Sequence, residues 1–192
     1  MHSSEHNLKP LTHPLGTKIN IIGDGGKTTL AKCISIRFGH DLVELDCLFW
    51  LPNWMEVPTD DFRRKVSDAI ESTSGMWVVD GNYFRKLNCL VSERCDTVIW
   101  LDLPWRSVFW RILKRSIVRS ISKEIMCGDN YESWLSMMNR HHPIQDFFRK
   151  RKSYHLKGER LLSMIPKSVP VLGVRSKEDL DFLYDVHGLK RD

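Results

Sequence analysis

The chain has 192 residues, with 29 lysines and arginines against 24 acidic residues for a net charge of +5, and 42% of its residues are hydrophobic. That length fits one domain burying about 70% of its unfolded surface without covalent staples, and no apolar run approaches the ~20 residues that span a bilayer. The five cysteines (Cys33, Cys47, Cys89, Cys95 and Cys127) are odd in number and form no CxxC pair, which argues against a disulfide scaffold or structural zinc and fits ordinary thiols in a reducing cytoplasm.

Residues 1–16 are polar, carry His2, His6 and His13 with two prolines, and lack a basic-then-apolar signal layout, so they read as a flexible arm. The folded domain is expected over 17–192. Five short apolar segments alternate there with helical patterns, the rhythm of a parallel α/β sheet: Lys18–Gly23, Leu42–Asp46, Met76–Asp80, Thr97–Asp102 and Val169–Arg175. After the first segment, Leu30, Ile34 and Phe38 recur at i, i+4 and i+8, and Gly39 stops the helix. Thr59 is expected to cap a second helix with Asp60 and Asp61 in its first turn and Phe62, Val66, Ala69 and Ile70 along one side. In a third, Phe109, Ile112, Leu113 and Ile117 make an apolar stripe, while Arg111, Arg115 and Arg119 recur every four residues on another face. Residues 120–130 read as a loop or flap, with Cys127-Gly128-Asp129-Asn130 as the turn signal. Helices over 130–140 and 144–164 are expected to be interrupted at His142-Pro143, because the residue before proline is pushed out of helical geometry. Ser176 with Asp179 opens a terminal helix carrying Leu180, Leu183 and Tyr184.

The most informative stretch is INIIGDGGKTTLAK, from Ile19 to Lys32, an apolar run that meets a glycine turn and continues as a helix. Glycines let backbone N–H groups turn inward as an anion nest, and the helix adds its positive end. Lys27 then suits outer phosphates and the Thr28 hydroxyl suits Mg2+. Gly23, Asp24, Gly25, Gly26, Lys27, Thr28 and Thr29 are therefore the candidate nucleotide-binding segment. The loop is short: the general pattern places four residues between its glycines, whereas Gly23 and Gly26 enclose only Asp24 and Gly25. A plain strand-to-helix turn, for which Asp and Gly are default residues, is the competing reading.

Charge is unevenly placed. Arg106, Arg111, Lys114, Arg115, Arg119 and Lys123 follow Leu103 with no acidic residue among them, and a second cluster covers Arg149-Lys150-Arg151-Lys152. Such blocks suit polyphosphate and nucleic acid equally. Ligands of open parallel sheets bind beyond the carboxyl ends of the strands, where Gly23, Asp46, Asp80 and Asp102 fall. A carboxylate there can hold Mg2+ beside Thr28, for which Asp102 is the candidate, or take a proton from an attacking hydroxyl. Capping of the Gly81-Asn82 turn by Asp80, and of a helix by Asp46, are the structural alternatives. Trp77 and Trp100 fall inside strands, whereas Phe49, Trp50 and Trp54 either stack on an acceptor base or clamp their loop to the sheet.

INIIGDGGKTTLA, LVELDCLFWLPNW, WVVDGNYFRKL and DTVIWLDLPWRSVFWRILKRS, in that order, resemble the adenylate-kinase-like P-loop proteins often described as DNA topology modulation proteins. The similarity runs from about Lys18 to Arg175. It implies a P-loop NTPase three-layer sandwich, with a five-stranded parallel sheet in the order 2-3-1-4-5 and a helical lid around 116–145. It further implies ATP and Mg2+ as cofactors and a small nucleoside- or nucleotide-type acceptor. Lys27, Asp80, Arg111 and Arg115 become the candidate catalytic set. By the same resemblance Asp46, Asp80 and Arg85 face the acceptor, Arg106, Arg111, Arg115 and Arg119 face phosphate with Arg140 joining from across the flap, and Arg175 receives the adenine; Trp50 is the further acceptor-binding candidate, from the aromatic loop. The expected activity is γ-phosphoryl transfer from Mg-ATP in the cytoplasm. Two alternatives stand beside it: a catalytically impaired nucleotide-binding relative with a shortened loop, and a nucleic-acid-binding protein using the basic helices.

Overall fold

The computed structural model describes residues 8–122, 125–131 and 161–190. Its centre is a parallel sheet of six strands: β1 (Leu8–Lys9), β2 (Lys18–Gly23), β3 (Asp41–Glu44), β6 (Trp77–Asp80), β7 (Thr97–Leu101) and β10 (Val171–Val174). They lie in the order β1-β10-β7-β2-β6-β3. Two small antiparallel pairs stand outside it, β4 (Trp50–Leu51) with β5 (Met55–Glu56) and β8 (Ile125–Met126) with β9 (Asn130–Tyr131). Each of the five apolar segments forms one strand of the central sheet.

Helices cover both faces, which is why the strands read as continuous apolar runs rather than as alternating ones. On one face Ile19 and Ile21 of β2 pack with Leu30 and Ile34 of α1 (Lys27–Phe38), Val108 of α5 (Trp105–Ser122), and Leu180 and Leu183 of the terminal helix Lys177–Val186. On the other, Ile22 and Val79 pack with Phe49 of α2 (Leu45–Phe49), Phe62 and Val66 of α3 (Thr59–Glu71), and Phe84 of α4 (Phe84–Leu87). The terminal helix starts with a capping box: Ser176 accepts from the Asp179 N–H at 2.9 Å while Asp179 accepts from the Ser176 N–H at 3.0 Å.

Several local expectations change. Leu8 and Lys9 of the arm form a strand, because the outer edge of β10 offers unpaired ladder groups and β1 takes them, Leu8 against Val171 and Lys9 against Leu172. Leu11 and Leu15 pack on the core, and a ring nitrogen of His187 donates to the Leu11 carbonyl at 2.9 Å. The sheet thus has six strands instead of five. Thr59 is the first helical residue of α3 and caps nothing; Pro58 occupies the N-cap position. Phe38 leaves the buried face of α1, which is completed by Ala31 and Cys33. In α5 the fully buried positions are Val108, Ser116 and Ser120, while Phe109, Ile112, Leu113 and Ile117 are half-buried. Two serines on the inward face make that face invisible to an apolar pattern. The flap also differs: α5 continues to Ser122, and residues 125–131 form the β8–β9 hairpin. Finally, Cys47 and Cys127 are joined as a disulfide across 80 residues, so two of the five thiols are not ordinary. No helix among the described residues is long and apolar enough to cross a membrane.

Candidate functional site

The loop after β2 is built by contacts from its neighbouring strands. Gly23 has φ 107°, and a Cβ there would overlap the Leu101 carbonyl of β7, so only glycine fits between the strands at that point. The Asn82 side chain, one turn beyond β6, grips the same peptide. Its Oδ1 accepts from the Gly23 N–H at 2.9 Å, and its Nδ2 donates to the Gly23 carbonyl at 2.5 Å and to Asp24 Oδ1 at 3.3 Å. The Asp24 N–H donates to the Leu101 carbonyl at 3.4 Å. Two loop amides are thereby used inside the protein. The chain then turns through Gly25 and Gly26 into α1, whose N-cap is Gly26, with no side-chain cap and no acidic residue in the first turn. The first amides of a helix have no partner within it, and the first turn of α1 carries no acidic residue of its own at that positive end.

Asp80, the last residue of β6, lies against this helix start. It is 8% exposed, and its Oδ2 accepts from the Thr28 hydroxyl at 2.5 Å. Its Oδ1 is buried with no hydrogen-bond partner. Burial pushes the carboxyl above the ordinary carboxylate range; Lys27 and the Thr28 hydrogen bond pull it back, Asp46 adds to the push, and Arg115 opposes it. The arginine row of α5 meets the same place. Arg111 Nη1 donates to the Gly25 carbonyl at 3.4 Å, and Arg115 is near enough for its charge to act on Asp80. Arg119, a turn further on, is half-buried, and Thr29 is exposed on the first turn of α1. Asp102 sits just past β7 with its N–H donating to the Val174 carbonyl at 2.8 Å. The Thr28 hydroxyl is directed at Asp80 and not at Asp102.

Residues expected to face an acceptor gather around Tyr83. Asp46 lies in the first turn of α2 instead of at a strand end, since β3 stops at Glu44, and its Oδ1 accepts from the Tyr83 hydroxyl at 2.6 Å. Burial, with the Asp46 charge second, pushes the Tyr83 phenol far up, so it remains a protonated donor. Its ring lies between Phe49 at 4.7 Å and Phe62 at 5.1 Å. Phe49 is core and clamps its segment to the sheet. Trp50, half-buried, packs edge-on against Phe49 at 4.8 Å and Trp54 at 5.6 Å. Arg85 is exposed on α4, beside Lys86, which pairs with Glu56 at 2.7 Å. Arg175 is exposed after β10, its guanidinium 5.9 Å over the Trp100 ring. Arg140 and the second basic cluster lie outside the described residues.

Two residues here were missed by sequence reasoning, Asn82 and Tyr83. Both follow Asp80 in WVVDGNY, and a polar pair just past a strand end was the available signal. No protein-family model matches the chain, and no curated protein is similar to it. What the site can do follows from its own groups: an uncapped helix start, a lysine and two arginines around it, and a buried carboxylate bonded to a threonine hydroxyl.

Proposed function

We propose that the protein binds Mg-ATP at the Gly23–Thr29 loop and transfers its γ-phosphoryl group to a small hydroxyl- or phosphate-bearing acceptor, as an adenylate-kinase-like P-loop phosphotransferase. The observation that carries this is Asp80: a nine-tenths buried carboxylate, one oxygen on Thr28 and the other without a partner, beside Lys27 and the open end of α1. A buried oxygen of this kind needs a reason for its cost. Thr28 and Asp80 offer the hard oxygen donors a divalent cation takes, and Mg2+ bound there would neutralise charge on the phosphate oxygens.

The residues do the remainder by positioning and charge. Amides from Gly25 onward and the positive end of α1 hold phosphate, with Lys27 on its outer oxygens. Arg111 and Arg115 approach from α5 and meet negative charge on the group in transfer. Arg175 with Trp100 offers a flat cationic face for a base. Asp46 and Tyr83, with Trp50 beside them, orient the acceptor.

The catalytically impaired alternative draws on one observation: the Gly23 and Asp24 amides are already bonded inside the protein, so the nest is short. Binding of ATP with no ADP formed across a panel of nucleosides, nucleotides and small alcohols would favour it. The deciding experiment is thermal unfolding with Mg-ATP, where ligand at about 100 times its dissociation constant adds roughly 2.7 kcal/mol. Lys27→Ala is expected to abolish that gain and any turnover while its melting without ligand stays within about 0.5 kcal/mol of the parent. A Lys27→Ala protein that keeps the full ATP-induced shift removes the phosphate-loop reading.

A further inference from the structure

We propose that the Cys47–Cys127 disulfide is a reversible thiol-exchange site, at which small thiols and disulfides set whether the β8–β9 hairpin can leave the acceptor side of the site. Only its effect on turnover rests on the phosphotransferase reading. The bond joins two segments that matter there: Cys47 follows Asp46 on α2, and Cys127 begins the turn of the hairpin that comes after α5 and its arginines.

Among the described residues, the hairpin also meets the Trp50–Trp54 segment through Asn130 and Gly128. Asn130, 3% exposed, donates from Nδ2 to the Leu51 carbonyl at 2.9 Å and accepts the Trp54 N–H on Oδ1 at 2.9 Å. At Gly128, φ 69°, a Cβ would come within 2.6 Å of the Trp50 carbonyl oxygen, so the turn fits only in close contact. A two-stranded ribbon this short has no stability of its own. Its docking therefore rests on the covalent link together with these contacts to its neighbour.

The link is open to reagents. Cys47 is exposed, Cys127 half-exposed, and Cys47 lines a surface groove with Asp41, Glu44, Ser72 and Thr73. Cys33 and Cys95 are buried, and burial pushes the Cys95 thiol up to about 12, which keeps it protonated and inert. With Asp41, Glu44 and Asp46 around Cys47, neutral or cationic thiols reach the bond faster than anionic ones. A small thiolate attacks the Cys47 sulfur, forming a mixed disulfide and releasing the Cys127 thiolate, which takes a proton. A second thiolate attacks the small molecule's sulfur, giving a small-molecule disulfide and the Cys47 thiol. The net exchange is protein disulfide plus two thiols to protein dithiol plus one disulfide.

The test uses the full chain equilibrated in oxidised or in reduced dithiothreitol, with free thiols counted, hydrogen exchange of the peptide spanning 125–131 measured by mass spectrometry, and Mg-ATP turnover followed in parallel. Three free thiols are expected in the oxidised protein and five in the reduced one. Reduction should speed exchange of 125–131 by about tenfold or more and raise turnover. Cys47→Ser should behave as the reduced protein in both buffers. Unchanged exchange on reduction, five free thiols under oxidising conditions, or turnover equal or higher in the oxidised form overturns the proposal. If neither form turns over ATP, hydrogen exchange alone decides it, and the phosphotransferase reading fails separately.

Discussion

Asp80 carries two opposed demands, since a buried carboxylate opposes folding while, in the proposed function, it prepares the site for a cation. Its folded-state pKa is raised by burial, so the folded protein holds that proton more tightly than the unfolded chain does, whose Asp titrates near 4. Stability from this group is present below that value and is lost as pH rises through the raised one. Asp80→Asn removes the loss. In Mg2+-free buffer the variant should therefore gain stability over the parent as pH goes from about 3.5 to 7, while turnover falls at least about a hundredfold. Urea titrations at the two pH values check the first part, and a stability difference that stays flat contradicts the burial argument. Asn82→Ala should act through the loop: losing the grip on Gly23 costs about 1–2 kcal/mol and raises the KM for ATP more than it lowers kcat. Lys27, Thr28 and Asp80 were legible in the sequence because a helix start and a strand end are local features. Asn82 was not, because its partner lies 59 positions away and meets it only when β2 pairs with β6.

Among the elements, α5 connects charge to the site by periodicity alone. Arg111 and Arg115 are one turn apart, and the structure brings the first to the Gly25 carbonyl and the second toward Asp80. Arg115→Ala should lower turnover by about 10- to 1000-fold and leave the melting temperature almost unchanged, as expected for an exposed cation. Steady-state kinetics beside calorimetry separates the two; a lost cooperative melt with intact kcat would make the side chain structural. The arginine row could be read from the sequence since four-residue spacing fixes a face. The buried face could not, because Ser116 and Ser120 are small enough to face inward yet do not count as apolar. The apolar segments marked the strands for the opposite reason: Ile19 and Ile21 are buried on one face of the sheet and Ile22 on the other, so β2 reads as an apolar run broken only by the buried Asn20.

For the whole molecule, the long-range pairings were the hidden part. Residue spacing says nothing of which cysteines meet, and only the docking of the hairpin on α2 and its following segment brings Cys47 to Cys127. The arm was hidden likewise, its leucines scattered among prolines and histidines. Removing residues 1–15 should cost about 2 kcal/mol from lost leucine burial and lower the melting temperature by roughly 4–8 °C; an unchanged melt by calorimetry would show that β1 adds nothing. The place of β1 also bears on how the protein is made. A ribosome makes Leu8 and Lys9 well before their partners Val171 and Leu172, which lie 163 positions further along the chain. At about 5–20 residues per second the segment waits on the order of ten seconds or more without its neighbour. That edge of the sheet therefore forms only once β10 has been made, on a nascent chain whose middle strands are already present.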